Sequence, residues 1–175
     1  DDGEDDGETG DDTDEDTGSD EDTADAHAGP DWLSVSAGTY HTCGINYGHR
    51  IQCWGKDLDG STVPPDGMFS AVSVGGAFTC GLDSSSEAQC WGRDYYGETD
   101  APGGVFLSLS AGGTHVCGVR SDGSLDCWGN DDKLQASPPD VIGPYVSVSA
   151  GGFHSCARKE DGEVVCWGLD DEVGD

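Results

Sequence analysis

The chain has 175 residues, of which 36 are acidic and seven are basic, so its net charge at pH 7 is −29. That balance argues against nucleic acid partners and anionic membrane surfaces, because both need basic patches on the protein. No apolar run in the sequence is long enough to span a membrane, and the length suits one ordinary domain.

The first 30 residues have a composition of their own. Residues 1–30 carry 15 of the 36 acidic residues and neither Lys nor Arg. A segment so poor in apolar residues cannot bury enough surface to offset its chain entropy, which predicts a disordered acidic tail or linker. We expect it to be dispensable for folding and to act as a spacer between the folded part and a membrane anchor upstream of Asp1.

Calcium binding is an alternative role for this tail. Asp12, Asp14 and Asp16 approach the pattern of a calcium-binding loop. Gly18 falls at the seventh place of that loop, however, where the sixth is required, and no glutamate closes it. A calcium-binding surface protein is therefore kept as a hypothesis that calorimetry on the tail would test.

The rest of the chain is built from four copies of one unit. Its eight cysteines fall into four pairs ten residues apart, and Trp-Gly follows the second cysteine of every pair. The first cysteines are separated by steps of 37, 37 and 39 residues, so the units span residues 31–67, 68–104, 105–143 and 144–175. The pairs are Cys43 and Cys53, Cys80 and Cys90, Cys117 and Cys127, and Cys156 and Cys166.

Each unit has the pattern of three short strands. It opens with a segment such as "LSVSAG", in which apolar residues and serine alternate before a glycine, as in a half-buried strand. A second strand carries the first cysteine, and a third strand carries Cys-Trp. No window has the periodicity of a helix, so the sequence predicts an all-β fold.

The spacing of the cysteines fits a hairpin. In the third unit Ser121-Asp122-Gly123 suits a type I turn closed by a left-handed glycine, and this register sets Cys117 directly opposite Cys127. At a non-hydrogen-bonded pair the Cα atoms come close to the distance that a disulfide spans. The sequence thus predicts one disulfide within each unit. Disulfides indicate an oxidising compartment: the periplasm, the cell surface or the exterior.

Free buried cysteines and a zinc site are the alternatives to these disulfides. His41, His115 and His154 each precede a cysteine by two residues, as zinc ligands could. Phe78 takes that position in the second unit, which disfavours a repeated zinc site. We therefore expect no metal ligand and no cofactor, and we expect the three histidines to pack and form hydrogen bonds within the repeat.

Four stretches resemble repeats of the regulator-of-chromosome-condensation family, in the cysteine-paired form of bacterial surface proteins. They are "VSAGTYHTC…IQCWGKD", "VSVGGAFTC…AQCWGRD", "LSAGGTHVC…LDCWGND" and "VSAGGFHSC…VVCWGLD". Gly60 and Gly97 match a later glycine of the family, from which Leu134 and Val173 depart. The resemblance covers residues 31–175 and implies a β-propeller in which each repeat supplies most of one antiparallel blade. The family's small polar residue after Trp-Gly is matched by Asp57, Asp94, Asp131 and Asp170.

Propellers stack their blades radially, because a lone three-stranded sheet cannot bury both of its faces. Trp128 falls opposite Val116 on the face away from the disulfide, so the tryptophans are expected between neighbouring blades. The chain ends at "CWGLDDEVGD", inside its fourth unit, and the resemblance implies more than four blades. We therefore expect an open arc that exposes apolar surface on its first and fourth blades and that self-associates or melts early.

The leading hypothesis for function is a secreted or cell-surface module, without enzymatic activity, that binds another protein. Aromatic residues in propeller loops are suitable anchors for a partner, and Tyr95 with Tyr96 is the favoured pair. The alternative is a secreted propeller hydrolase or lyase, although the sequence holds no G-x-S-x-G, phosphate-loop or H-E-x-x-H motif. The nucleotide exchange of the family's founder is not expected, because no exchange loop or basic segment is present. The candidate binding residues are Tyr40, Tyr47, Tyr95, Tyr96 and Phe153.

Overall fold

The chain folds into four small antiparallel sheets that follow one another along the sequence. A computed structural model describes residues 31–139 and 143–169, and within them every regular element is a strand. Each sheet has three strands in chain order, so neighbours in sequence are neighbours in the sheet. We call the sheets blades 1 to 4. The all-β prediction is confirmed, while the predicted tail over residues 1–30 lies outside the described residues.

The strands have nearly the same lengths and repeat positions in all four blades. None of the described segments is a helix that could cross a membrane. Blade 1 holds β1 (Trp32–Ala37), β2 (His41–Asn46) and β3 (Ile51–Gly55), and blade 2 holds β4 (Phe69–Val74), β5 (Phe78–Asp83) and β6 (Ala88–Gly92). Blade 3 holds β7 (Phe106–Ala111), β8 (His115–Arg120) and β9 (Leu125–Gly129), and blade 4 holds β10 (Tyr145–Ala150), β11 (His154–Lys159) and β12 (Val164–Gly168).

The second and third strands of each blade pair in the register that the sequence predicts. In blade 3, Val119 faces Leu125 and Cys117 faces Cys127. A disulfide joins the two cysteines within every blade, with Cα atoms 4.0 to 4.1 Å apart. All eight cysteines are used in this way, so no thiol is left to bind zinc.

One turn closes all four hairpins, although their sequences differ. Gly123 occupies its third position with φ of 81°, as the sequence predicts, and Gly162 occupies the same position of blade 4 with φ of 95°. His49 and Ser86 occupy the same position in blades 1 and 2, with φ of 58° and 61°. A residue with a Cβ is disfavoured at positive φ by about 1 kcal/mol. The first two hairpins therefore close in a conformation that glycine would adopt more readily.

The first strand of each blade lies closest to a common axis. β1, β4, β7 and β10 contact one another in that order, and the Ala and Gly residues at their ends line a shallow, open depression. A Cβ on Gly75 would lie 2.8 Å from the carbonyl oxygen of Gly112 and 2.5 Å from the ring of Phe78. The glycines that end these strands therefore allow the backbones of neighbouring blades to approach each other.

Each blade turns its tryptophan toward the preceding blade and its disulfide toward the following one. Trp91 of blade 2 packs in one cluster with Cys43 of blade 1, and Trp128 of blade 3 packs in another with Cys80 of blade 2. Three of the four tryptophans of Trp-Gly thus lie between blades, as predicted, whereas Trp54 does not, because no blade precedes it among the described residues. Their indole N–H groups donate to loop carbonyl oxygens of the preceding blade: Trp91 to Ser61, Trp128 to Glu98 and Trp167 to Gln135, at 3.1, 3.0 and 2.9 Å.

The four blades form an open arc. Trp54, which has no preceding blade among the described residues, is 45% exposed, whereas Trp128 is 8% exposed. At the other end Cys156 is partly exposed, whereas the equivalent Cys117 is fully buried. The predicted open arc, with apolar surface on its first and fourth blades, is confirmed.

Candidate functional site

The arc has two sides, which differ in the loops that they present. The turns between the second and third strands lie on the hairpin side, for example residues 47–50 of blade 1. The opposite side is where the third strands end at Trp-Gly, and we call it the Trp-Gly side. In blade 1 His41 pairs with Gly55, which brings residues 38–40 and 56–63 to the Trp-Gly side.

The glycine of Trp-Gly allows the chain to pass close to the start of the second strand. Gly55 has φ of 116°, and a Cβ there would lie 2.8 Å from the carbonyl oxygen of Tyr40. The amide N–H of Lys56 donates to that same carbonyl oxygen at 2.9 Å. The residue after Trp-Gly is therefore held beside the residue that precedes the second strand, which places Lys56 next to Tyr40.

Aromatic and cationic side chains gather on the Trp-Gly side where blade 1 meets blade 2. Nζ of Lys56 lies 5.6 Å from the ring centroid of Tyr40, and the guanidinium carbon of Arg93 lies 4.9 Å from that of Tyr95. Both distances fall within the range of a cation–π interaction. Tyr40 and Tyr95 are 49% and 72% exposed, so both rings are open to a partner. We call Tyr40, Lys56, Arg93 and Tyr95 the aromatic–cationic cluster.

Arg93 links the two blades within this cluster. Its Nε donates to Oδ2 of Asp59 at 2.8 Å, from blade 2 to the loop that follows blade 1. This hydrogen bond raises the pKa of Arg93, and the nearby phenol groups of Tyr95 and Tyr40 add to the rise. The guanidinium is thus a fixed positive charge on a chain whose net charge is −29.

The other predicted binding residues lie apart from the cluster or only adjoin it. Tyr96 follows Tyr95 in the same loop, and its side chain is exposed. Tyr47 is in the hairpin turn of blade 1, on the opposite side of the arc. Phe153 occupies in blade 4 the position that Tyr40 has in blade 1. The structure therefore brings Tyr40 and Tyr95 together and separates Tyr47 and Phe153 from them.

The two cationic members of the cluster are absent from the sequence predictions. Lys56 and Arg93 each follow Trp-Gly directly, where the other two units have Asn130 and Leu169. Only seven residues of the whole chain are basic, so two at one repeat position is a detectable signal. The contacts of Lys56 with Tyr40 and of Arg93 with Tyr95 each lie within one repeat. The pairing of Arg93 with Asp59 depends on how two blades pack, which the pattern of one repeat does not contain.

The histidines of the repeat have a different place, in the boundaries between blades. Nε2 of His41 lies 2.7 Å from Oγ1 of Thr79 in blade 2, and that hydroxyl donates to the carbonyl oxygen of Ser61 at 3.1 Å. Because the hydroxyl proton is directed to Ser61, the hydrogen bond to His41 uses a proton on Nε2. The imidazole is therefore the donor of a buried bond that joins blade 1 to blade 2.

The boundary between blades 3 and 4 repeats this arrangement, and the boundary between blades 2 and 3 replaces it. Nε2 of His115 lies 2.7 Å from Oγ of Ser155, which donates to the carbonyl oxygen of Gln135 at 3.1 Å. Phe78 and Val116 hold the corresponding positions between blades 2 and 3, and both are buried. At the boundary between blades 2 and 3, both members of the polar pair are thus replaced by apolar residues.

Burial keeps His41 and His115 neutral. Their Nδ1 atoms are buried and have no hydrogen-bond partner among the described residues, so a second ring proton would be left unpaired. Burial lowers the pKa of His41, against a smaller rise from Asp57. Burial, reinforced by the charge of His154, lowers the pKa of His115 to about 4. His41 and His115 therefore have the packing and hydrogen-bonding roles predicted for them, whereas His154 is exposed on blade 4.

The described residues form no candidate metal site. Across residues 31–139 and 143–169, no three His, Cys, Asp or Glu side chains lie close enough to hold a metal ion. The acidic residues after Trp-Gly form hydrogen bonds within their own loops. Asp57 accepts from the amide of Thr62 at 3.1 Å, and Asp94 accepts from the amide of Thr99 at 3.0 Å. The predicted calcium pattern in the tail lies outside the described residues.

Solved structures with a similar fold include two plant receptor ectodomains. That of the receptor kinase CR4 from Physcomitrella patens is 29% identical, with a TM-score of 0.72 over 85% of this chain and 44% of that chain. The CRINKLY WD40 ectodomain of the Arabidopsis thaliana receptor kinase ACR4 is 27% identical, with a TM-score of 0.65 over 79% of this chain and 50% of that chain. Prp20p from Saccharomyces cerevisiae, described with its binding to Gsp1p and histones, is 16% identical, with a TM-score of 0.70 over 79% of this chain and 45% of that chain. The chain thus spans about half the length of these solved chains.

Comparison of the sequence with protein families gives the same result for each blade. No curated protein matches the chain. The Regulator of chromosome condensation (RCC1) repeat matches it four times, over residues 32–61, 69–98, 106–135 and 145–172, and each match begins at the first strand of a blade. These matches cover more than half of the chain and confirm the resemblance seen in its sequence, so the protein belongs to the RCC1 repeat family.

Proposed function

We propose that this protein is a non-enzymatic module that binds another protein at the cell surface or outside the cell, through the aromatic–cationic cluster. The observation that carries the proposal is the exposure of Tyr40 and Tyr95, each beside a cationic side chain, at a boundary between blades that Arg93 bridges to Asp59. A site built from two blades is fixed by the packing of the arc, so its groups are already ordered before a partner arrives.

The chemistry of the cluster favours a protein partner. Tyr and Arg are enriched among the residues that contribute most to protein interfaces, because each combines a large contact area with hydrogen-bonding groups. Lys56 adds a positive charge to a protein that is otherwise strongly acidic, whereas the charge of Arg93 is paired with Asp59. An acidic group of the partner that pairs with Lys56 is repelled by the acidic surface elsewhere, which favours one orientation of binding.

The proposed location outside the cell or on its surface is supported by the disulfides and by the relatives. Four disulfides in so short a chain suit an oxidising compartment. The relatives at 29% and 27% identity are ectodomains of receptor kinases. The predicted bacterial origin stays a prediction.

The absence of enzymatic activity is supported by where the titratable groups lie. His41 and His115 are buried and spread over two separate boundaries between blades. The shallow depression along the axis is lined by Ala, Gly, Val and Thr residues, which offer no acid or base. A hydrolase or lyase would need such groups to converge on one concave site.

Affinity capture with matched variants tests the proposal. The wild-type chain, the variant with Tyr40→Ala and Tyr95→Ala, and a Tyr47→Ala control would each be immobilised and exposed to surface and secreted proteins of the source organism. Tyr47 is 66% exposed but lies on the hairpin side, so its removal should leave binding unchanged. A protein retained by the wild type and the control, and lost from the double variant, is the expected partner.

The affinity for that captured protein would then be measured with each purified variant. Removing an anchor tyrosine should weaken binding by roughly 2 kcal/mol, or about thirtyfold, while thermal melting stays unchanged because both rings are exposed. Equal affinity of the double variant and the wild type would show that partners bind elsewhere, and a large loss of melting temperature would show that the two tyrosines are packing residues.

A further inference from the structure

Three kinds of contact recur at every boundary between blades. The first is an amide of one blade that donates to a serine hydroxyl of the preceding blade. The second is the ring at the start of a second strand, which meets a side chain of the following blade. The third is a tryptophan that packs against the preceding blade. The serine contacts are Val74 to Ser36, Ala111 to Ser73 and Ala150 to Ser110, at 3.0, 2.9 and 2.9 Å.

Blade 4 displays one half of each contact on its outer face. Ser149 is the equivalent of Ser110 and is exposed, and His154 is the equivalent of the buried His115 and is also exposed. The disulfide of Cys156 and Cys166 borders a cavity of about 910 Å³ that includes Phe153, His154 and Trp167 in its wall. We call Ser149, Phe153, His154, Cys156 and Cys166 the blade-4 end face.

Blade 1 displays the other half of each contact on its outer face. Ala37 is the equivalent of Ala111 and is exposed, and Thr42 is the equivalent of the fully buried Thr79 but is only half-buried. Trp54 packs on Trp32 at 5.3 Å between ring centroids, and both indoles remain partly exposed. We call Trp32, Val35, Ala37, Thr42 and Trp54 the blade-1 end face.

We propose that these end faces bind each other between two copies of this chain, head to tail. In this contact Nε2 of His154 donates to the hydroxyl of Thr42, as His41 does to Thr79. The amide of Ala37 donates to the hydroxyl of Ser149, and Trp54 enters the cavity beside the exposed disulfide. A single boundary between blades would thereby be rebuilt between two molecules.

A second copy is the occupant that the two faces specify. The polar pair at this boundary is His with Thr, the same combination as at the boundary between blades 1 and 2, and neither partner is replaced by an apolar residue. The contact joins two different surfaces, so it either closes a ring of two or continues as a chain of copies.

A mixing experiment tests the head-to-tail contact with the full chain. Thr42→Glu puts a charge on the blade-1 end face and His154→Glu puts one on the blade-4 end face, and both sites lie outside the packed boundaries. By sedimentation, the wild type should associate and each variant alone should be monomeric. Their mixture should form a one-to-one dimer, because each variant keeps the face that the other has lost.

Several outcomes would overturn the proposal. One is a wild type that stays monomeric up to its solubility limit, and another is a Thr42→Glu variant that associates like the wild type. A third is a His154→Glu variant that still forms dimers, which would indicate a symmetric contact between two blade-1 end faces. A mixture that stays monomeric would also overturn the proposal, provided that both variants keep the near-ultraviolet circular dichroism of the wild type.

A second set of variants distinguishes specific pairing from non-specific hydrophobic association. Thr42→Val and His154→Phe should each weaken association about tenfold, since each leaves a buried polar group unpaired. The double variant recreates the pairing of Phe78 with Val116 and should recover most of the wild-type affinity. Losses that simply add in the double variant would contradict a direct contact between the two positions.

Discussion

The imidazole of His115 lies 2.7 Å from the hydroxyl of Ser155 across the boundary between blades 3 and 4. One boundary earlier, Phe78 and Val116 occupy the same two positions and are both buried. The repeat therefore accepts a polar pair or an apolar pair at this place. A mixed pair would leave one buried polar group without a partner, at a cost of about 1–3 kcal/mol.

Exchanging the pair at this boundary should show strong coupling. Ser155→Val alone should reduce the free energy of unfolding by about 1–3 kcal/mol, because Nε2 of His115 loses its acceptor. His115→Phe with Ser155→Val should recover most of that loss, since it reproduces the boundary between blades 2 and 3. Urea denaturation of the four proteins in this double-mutant cycle measures the coupling, and additive losses would mean that the two side chains act independently.

The same histidine should make stability depend on pH. Burial lowers the pKa of His115 to about 4, whereas an unfolded histidine titrates near 6.5. Between these values the unfolded chain binds the extra proton, so stability falls as pH falls from about 6.5 to about 4, by up to about 1.4 kcal/mol per pH unit from this group. The His115→Phe, Ser155→Val double variant should lose stability less steeply in this window. Parallel curves for the two proteins would show that His115 titrates normally in the fold.

The sequence predicts the structure of one repeat better than the contacts between repeats. The register of Cys117 against Cys127 follows from a turn and a period of two, which are properties of neighbouring residues. The bond between His41 and Thr79 joins residues 38 positions apart, and the pairing of Arg93 with Asp59 joins residues 34 positions apart. Both depend on how two blades pack. Aligning the units nevertheless shows that Phe78 and Val116 replace a His and a hydroxyl residue, because these residues hold fixed positions of the repeat.

The four disulfides should differ in their reactivity with a reductant. Cys43, Cys80 and Cys117 are fully buried, whereas Cys166 is exposed and Cys156 is partly exposed. Mild reduction followed by alkylation should therefore label Cys156 and Cys166 first, and mass spectrometry would identify the labelled peptides.

Non-reducing digestion should also recover the four pairs within blades, and any pair between blades would contradict the structure. Replacing one pair with alanine should cost about 2–3 kcal/mol through the entropy of a loop of this length.

The hairpin turns of blades 2 and 4 offer a reciprocal test of backbone strain. Ser86 adopts φ of 61° and Gly162 adopts φ of 95° at the same position of the turn. Ser86→Gly should raise the free energy of unfolding by about 0.5–1 kcal/mol, because glycine reaches this conformation without a Cβ clash. Gly162→Ser should lower it by a similar amount, since nothing within 4 Å would crowd the new Cβ. Changes of the same sign in both variants, by chemical denaturation, would rule out this account.

Trp54 and Trp128 hold the same repeat position and should differ strongly in their contribution to the stability of one chain. Trp128 packs between blades 2 and 3 and donates its indole N–H to the carbonyl oxygen of Glu98 at 3.0 Å. Trp54 faces the open end of the arc and is 45% exposed. At a protein concentration low enough to keep the chain monomeric, Trp128→Ala should therefore cost about 3–5 kcal/mol and Trp54→Ala about 1 kcal/mol or less. If copies associate head to tail, the cost of Trp54→Ala should rise with protein concentration, because the indole is then buried in the contact. Equal losses for the two variants at low concentration would mean that Trp54 is already packed within the single chain.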